Sequence, residues 1–187
     1  MNENKMVVSE IQHLTLLNEE YDSPILDIGG GGEGVIGKVY GKDVIAIDIR
    51  KDELEETKND ALKIVMDATD LKFLDNSFPT ATLFFTLMYM KHEIKIKTLK
   101  EIYRVLNKKG ILDIFETNMP AYKKDEKEVY VLQLNYKIND KEVHTGYGCS
   151  LQNKMINKDY YLNLLRQIGF KAELIYENKE IFRIRAK

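Results

Sequence analysis

The sequence is poor in cysteine: Cys149 stands alone, which excludes an internal disulfide and a cysteine zinc cluster and fits a reducing compartment. It also lacks long apolar runs, and nothing approaches the roughly 20 residues that a membrane-crossing helix needs. The opening stretch MNENKMVVSE has no basic segment followed by a long apolar one. Export is therefore not expected, and a cytoplasmic location is. Charge of one sign is lacking too: 28 Lys and Arg against 30 Asp and Glu give a net charge of -2. That balance supplies no overall pull toward nucleic acid. A length of 187 residues suits one domain with a sizeable core, expected to span 1–187, and leaves little room for two.

Glycine is concentrated where it matters. The stretch ILDIGGGGEG, residues 25–34, is a short apolar run carrying Asp27 that meets Gly29, Gly30, Gly31 and Gly32 in succession. Glycines lose much entropy on folding, so four in a row imply a close approach that a side chain would block. A strand, a glycine turn and a helix together present bare backbone amides to a ligand near a helix start.

The rest of the chain keeps that rhythm. Residues 1–23 are polar with scattered apolar positions and read as one short helix. PILDIGG, KDVIAIDI, LKIVMDATD and TATLFFTLMYM read as four strands, with EGVIGKVYG and RKDELEET as short helices between them. Residues 91–106 form the clearest helix, with Leu99, Ile102, Tyr103 and Leu106 on one face and a stop at Gly110 before a fifth strand. Strands alternating with helices argue for a doubly wound, mostly parallel sheet. From 117 to 157 the rhythm breaks. EVYVLQLNYKIND and KEVHTGYGCS alternate at period two around NDK, a hairpin signal. KDYYLNLLRQIG is a helix, and FKAELIYENKEIFRIRAK closes the chain as a terminal antiparallel hairpin.

Acids fall at successive strand ends. Asp27 precedes the glycines, where a carboxylate disfavours a pyrophosphate and suits a positively charged ligand; the alternative is that it only organises the turn. Asp48 ends the second strand and can accept both hydroxyls of a ribose, or cap the next helix. Asp67 follows the third strand and can accept from an adenine amine with the Ala68 amide facing the ring, or serve a turn. Gly29, Gly31 and Gly34 also satisfy G-x-G-x-x-G, which leaves a nicotinamide-dependent oxidoreductase open. A protein that binds S-adenosylmethionine without turnover is a further alternative.

With these residues in view, the sequence resembles the class I S-adenosylmethionine-dependent methyltransferases, type 11-like small-molecule enzymes among them. ILDIGGGGEG and VIAIDI look like the family's first two motifs. MDATDLKFLDNSFPTATLFFTLMYMKH is similar to the stretch from the adenine acid into the fourth strand. LKEIYRVLNKKGILDI and YYLNLLRQIGFKAELI resemble later elements, in the family's order. The resemblance implies a Rossmann-like sheet of seven strands with a reversed last strand, and S-adenosylmethionine as cofactor. It implies cofactor contacts from Asp27, Gly29, Gly30, Gly31, Asp48, Ile49, Asp67, Ala68 and Thr86. The chain departs from the family's pattern at Glu33, where a third glycine is usual, and at Lys109, where proline precedes Gly110. FTLMYM replaces the Asn/Asp-Pro-Pro-aromatic motif of enzymes acting on amide or base nitrogens.

Methyl transfer from a sulfonium needs positioning and desolvation more than side-chain chemistry, so neither a triad nor a metal is expected. Candidate bases are few: His92 after the fourth strand, and His144 and Cys149 in the insertion, each with a plain structural alternative. Tyr89 suits either an acceptor site or the core. The insertion, with Tyr122, Tyr130, Tyr136 and Tyr147 among lysines, reads either as a lid over the acceptor or as a self-packing hairpin. A small-molecule acceptor is expected, without membrane or nucleic acid.

Overall fold

The computed structural model describes residues 5–14, 19–124, 126–138, 141–152 and 157–187. The central sheet starts with β2 (Ile25–Ile28), buried along its whole length. A strand covered on both faces must be apolar on both, and ILDI meets that demand at every position except Asp27. From β2 the chain runs through α1 (Val35–Tyr40) to β3 (Val44–Asp48), then α2 (Lys51–Glu56) to β4 (Leu62–Val65). It then crosses to the other side of β2 for β5 (Phe78–Phe84), α3 (His92–Val105) and β6 (Leu106–Thr117). After α4 (Lys158–Ile168), β9 (Ala172–Glu177) and β10 (Ile181–Ala186) complete it.

The seven strands lie in the order β4-β3-β2-β5-β6-β10-β9. β10 runs antiparallel to both β6 and β9, and the remaining pairs are parallel. The expected Rossmann-like sheet with a reversed last strand is what forms. Strand order reverses between β2 and β5, which opens a crevice at their carboxyl ends.

The insertion forms β7 (Val129–Ile138) and β8 (Lys141–Ser150), paired antiparallel with Ile138 opposite Lys141. The turn residues 139 and 140, central to the NDK signal, lie outside the described residues. The first segment corrects the sequence reading: in place of a short helix, Met6–Leu14 is a strand, β1, parallel to β7. The run MVVSEIQHL holds β-branched residues near its start, and β7 offers it an edge to pair with. A tertiary partner thus outweighs weak helical periodicity.

Three smaller corrections concern ends. Helix α3 stops at Val105, and Gly110 lies inside β6. A Cβ there would sit 3.1 Å from the Phe78 carbonyl oxygen, so this glycine serves close strand pairing. β5 ends at Phe84, and TLMYM leaves the sheet because Phe85 turns left-handed at φ 51° and Leu87–Tyr89 form a 3-10 turn. β4 ends at Val65, two residues before Asp67.

One buried ionic cluster ties the sheet's far side together. Asp113 in β6 is fully buried and accepts from Tyr21 Oη at 2.5 Å, Arg183 at 2.6 Å and Arg185 at 2.7 Å. Glu19 bonds the same two arginines at 2.8 Å each. The segment before β2 is thereby fastened to β10.

Candidate active site

A cleft of about 1180 Å³ opens at the carboxyl ends of β2, β3 and β5. Its floor is the glycine turn. The first two turn amides, Gly29 and Gly30, donate to the Ile47 carbonyl at 2.8 and 3.0 Å, which bends the chain over β3. Thr86 Oγ1 donates to the Ile28 carbonyl at 3.0 Å and closes the gap between β5 and β2.

Close contacts within the protein account for the glycines. A Cβ on Gly29 would fall 2.4 Å from Thr86 Cγ2, and one on Gly30 would fall 2.6 Å from Asp27 Oδ2. One on Gly31 would fall 2.7 Å from Glu53 Cβ and 2.9 Å from Asp48 Oδ2. The close approach inferred from the sequence is therefore first of all to the protein itself. The turn is pressed onto Thr86, Asp27 and α2, and the flattened backbone lines the cleft.

Asp27 is 2% exposed. Its Oδ1 accepts from Thr82 Oγ1 at 2.8 Å. Burial pushes its carboxyl up to about 7; the Thr82 bond opposes that rise and the nearby Asp48 charge adds to it. Desolvating a carboxylate beside another acid is costly unless a positive partner arrives. Asp48, at the end of β3, accepts from the Arg50 N–H through Oδ1 at 2.9 Å. The N-cap of α2 is Arg50 itself, so Asp48 lies ahead of the helix and is not its cap. Ile49 is 67% exposed beside it, an apolar side chain left open at the cleft wall. Asp67 receives the Thr69 N–H and hydroxyl, both at 2.8 Å, which hold its carboxyl below the usual range.

Asp27, Gly29, Gly30, Gly31, Asp48, Ile49, Asp67, Ala68 and Thr86 all line this one cleft. Their convergence follows from topology, since each sits at or just past the carboxyl end of a parallel strand.

The far wall is aromatic. Phe84, Phe85, Tyr89 and Tyr147 line it, with Thr145, Gly146 and Gly148 of β8 alongside. Tyr147 stacks on Phe85 with ring centres 5.4 Å apart and planes at 27°. Burial raises the Tyr89 and Tyr147 phenols, which favours their neutral forms. The insertion tyrosines thus divide. Tyr147 faces the cleft, whereas Tyr130 and Tyr136 are buried and bonded within the fold. Tyr122 is half-buried and packs against the core.

The candidate bases lie elsewhere. His92 Nδ1 pairs with Tyr160 Oη at 2.7 Å, and exposed His144 pairs with Asn135 at 2.5 Å. Cys149 is buried, with its thiol 3.8 Å from Met119 Sδ. Sequence reasoning missed Phe84 and Phe85 as wall residues because an apolar run inside a strand carries no mark of a cleft. It noted Glu33 only as a departure, although Glu33 lines the cleft and bonds across it.

Residues 26–114, from β2 into β6, match a family model described as a methyltransferase domain. No curated protein matches the sequence. Solved structures share the fold. A Pyrococcus horikoshii OT3 protein, 16% identical, superposes with a TM-score of 0.65 over 87% of this chain and 81% of its own. A SAM-dependent methyltransferase of Methanosarcina mazei, 19% identical, gives 0.61 over 93% and 99%. The glycopeptide N-methyltransferase MtfA complexed with sinefungin, 12% identical, gives 0.60 over 89% and 80%. At such identities the likeness carries the fold, and the family match describes residues 26–114. Residues 26–114, just under half of the chain, are similar to a methyltransferase domain, and the methyltransferases among the solved structures share the fold.

Proposed function

We propose that the protein methylates a small organic molecule held between the glycine turn and the β8 wall. The observation that carries this reading is the cleft's division into two unlike parts. One part has acids at three strand ends and an open Ile49; the other has stacked aromatic rings under a hairpin. Its volume of about 1180 Å³ exceeds the roughly 300–1,000 Å³ of a site for one drug-sized ligand. Room for a donor and a compact acceptor together is what such a reaction requires.

The acidic part fits the donor. Asp27, buried and paired with Thr82 and with no cation bonded to it among the described residues, gives counter-charge to the donor's positive end. Asp48 accepts from the ribose hydroxyls, and Ile49 covers one face of the adenine. Asp67 and the Ala68 amide meet the adenine edge. Gly29, Gly30 and Gly31 let the donor's methionine part lie against backbone, with Thr86 beside it. When bound, the sulfonium would supply an already activated methyl group, which would pass in line to the acceptor's attacking atom as its C–S bond breaks and S-adenosylhomocysteine leaves as the neutral thioether.

The chain's own contribution is placement and exclusion of water. The neutral phenols of Tyr89 and Tyr147 and the rings of Phe84 and Phe85 offer rigid contact area that orients an organic acceptor. The hairpin covers that end of the cleft and keeps bulk water from competing. Residues 117–157 then act as acceptor cover, and 1–23 support them through β1.

The test uses S-adenosylmethionine with a labelled methyl group. The full chain is incubated with the small-molecule filtrate of a cell extract and, separately, with its protein and nucleic-acid fractions. Label in small-molecule products supports this reading. Label confined to protein or nucleic acid overturns it.

A further inference from the structure

Glu33 interrupts the glycine turn where the family's pattern has a third glycine. Its neighbours Gly32 and Gly34 are both left-handed, at φ 58° and 53°. The backbone between them aims the side chain across the cleft. Oε1 accepts from Thr145 Oγ1 of β8 at 3.1 Å. Oε2 accepts from Tyr136 Oη of β7 at 3.3 Å and from Lys38 Nζ of α1 at 3.1 Å. One carboxylate therefore holds both strands of the hairpin and the first helix. Burial alone would raise its carboxyl, but Lys38, Thr145 and Tyr136 outweigh that and keep it low.

The carboxylate is about a third exposed, so its pairing with Lys38 adds little by itself. The bonds to the hairpin matter for where they point. Thr145 and Tyr147 are two residues apart on one strand and share a face. Whatever fixes Thr145 also fixes the ring stacked on Phe85.

We propose that Glu33 is a positioning residue that couples the two parts of the cleft. Seating of the donor on the glycine turn fixes Glu33, and Glu33 fixes the β8 wall against which the acceptor packs. This rests on the reading of the turn as the donor site. The coupling is reciprocal, so an ordered hairpin also favours donor binding.

Amide hydrogen exchange on the full chain tests this, with and without S-adenosylhomocysteine. The variants are Glu33→Ala, Glu33→Gln and the double variant Tyr136→Phe/Thr145→Val. Without ligand, Glu33→Ala speeds exchange over 141–150 about tenfold and leaves β3 and β6 unchanged. Glu33→Gln, which keeps an oxygen acceptor, retains part of the protection, and the double variant behaves as Glu33→Ala does. With ligand, exchange over 141–150 slows further in the wild type and not in Glu33→Ala. Equal ligand-free exchange in wild type and Glu33→Ala overturns the latch. Ligand-induced protection that survives Glu33→Ala overturns the coupling. A wild-type chain that fails to bind S-adenosylhomocysteine overturns the donor-site reading, and the ligand-free comparison still decides the latch.

Discussion

Thr86 and Gly29 meet so closely that a Cβ on the glycine would lie 2.4 Å from the threonine methyl and 2.7 Å from its hydroxyl. That hydroxyl bonds the Ile28 carbonyl, so Thr86 clasps the carboxyl end of β2 to that of β5. The clasp sits where strand order reverses, and Gly29, at φ 73°, lets it close.

Gly29→Ala is therefore expected to destabilise the fold itself, by about 1–3 kcal/mol from the left-handed backbone and the overlap together. In a Thr86→Ala background the same substitution should cost about 1 kcal/mol less, because the contacts with the threonine methyl and hydroxyl are gone, leaving the backbone strain and the 3.1 Å approach to the residue-86 Cβ. Urea unfolding of the four proteins in the cycle measures this. Equal costs in both backgrounds would show that the two residues do not compete for space.

Asp27 makes stability and binding depend on pH in opposite directions. Its carboxyl stands at about 7 in the fold against an ordinary 3.8. Between those values the folded chain holds a proton that the unfolded chain releases. Its contribution to stability is full below about pH 4 and is lost as pH rises through about 7. A positive ligand favours the carboxylate, so binding below pH 7 expels that proton. Affinity for S-adenosylhomocysteine should rise about tenfold per pH unit from roughly pH 5 to 7, then level off. Glu116 is also raised to about 7, by burial against the opposing charge of Lys95, so the comparison that isolates Asp27 is Asp27→Asn. That variant should bind with no such slope. Calorimetry in buffers of different ionisation enthalpy reads the released proton, and a slope that persists in Asp27→Asn would assign it to another group.

Asp113 anchors the sheet's far side. Replacing it by alanine leaves Arg183 and Arg185 without their shared buried carboxylate, and the expected loss is about 3–5 kcal/mol. Glu19 meets the same arginines from a more exposed position, so Glu19→Ala should cost about 1 kcal/mol or less. Denaturant midpoints distinguish the two. Equal losses would mean that burial does not set the scale.

How much of this could be read from the residues varies by element. The parallel sheet was legible because ILDI, VIAID and FPTATLF are mostly apolar where both faces are covered, and because glycines and acids mark their ends. The cleft residues were legible for the same reason: a strand end is a fixed address in this fold. The glycine run by itself left a nicotinamide enzyme open, and the similarity of residues 26–114 to a methyltransferase domain favours the methyltransferase. Strand β1 was not legible, because its partner β7 lies more than a hundred residues away and periodicity is a local signal. Phe85 was hidden for a related reason, since nothing in FFTLMYM announces a left-handed residue. Glu33 stood out as a departure, but its partners Tyr136 and Thr145 are set by tertiary packing alone. The same packing changes how the hairpin should be probed. Leu132 and Leu134 are fully buried, so excising the hairpin would open the core, whereas single replacements at Tyr147 or Glu33 would not.

The central claim is that the donor sits on the strand-end acids of this cleft, and Asp48 tests it most directly. Its side chain is half-buried and accepts from the Arg50 N–H at the cleft's edge, so its loss leaves the core intact. The measurement is a calorimetric titration of S-adenosylhomocysteine into the wild type and Asp48→Ala, with urea unfolding of each. The account predicts binding weakened by about 1.5–3 kcal/mol, the scale of a lost hydrogen bond to a charged group, with the unfolding midpoint essentially unmoved. An unchanged dissociation constant in Asp48→Ala would contradict it and place the donor elsewhere.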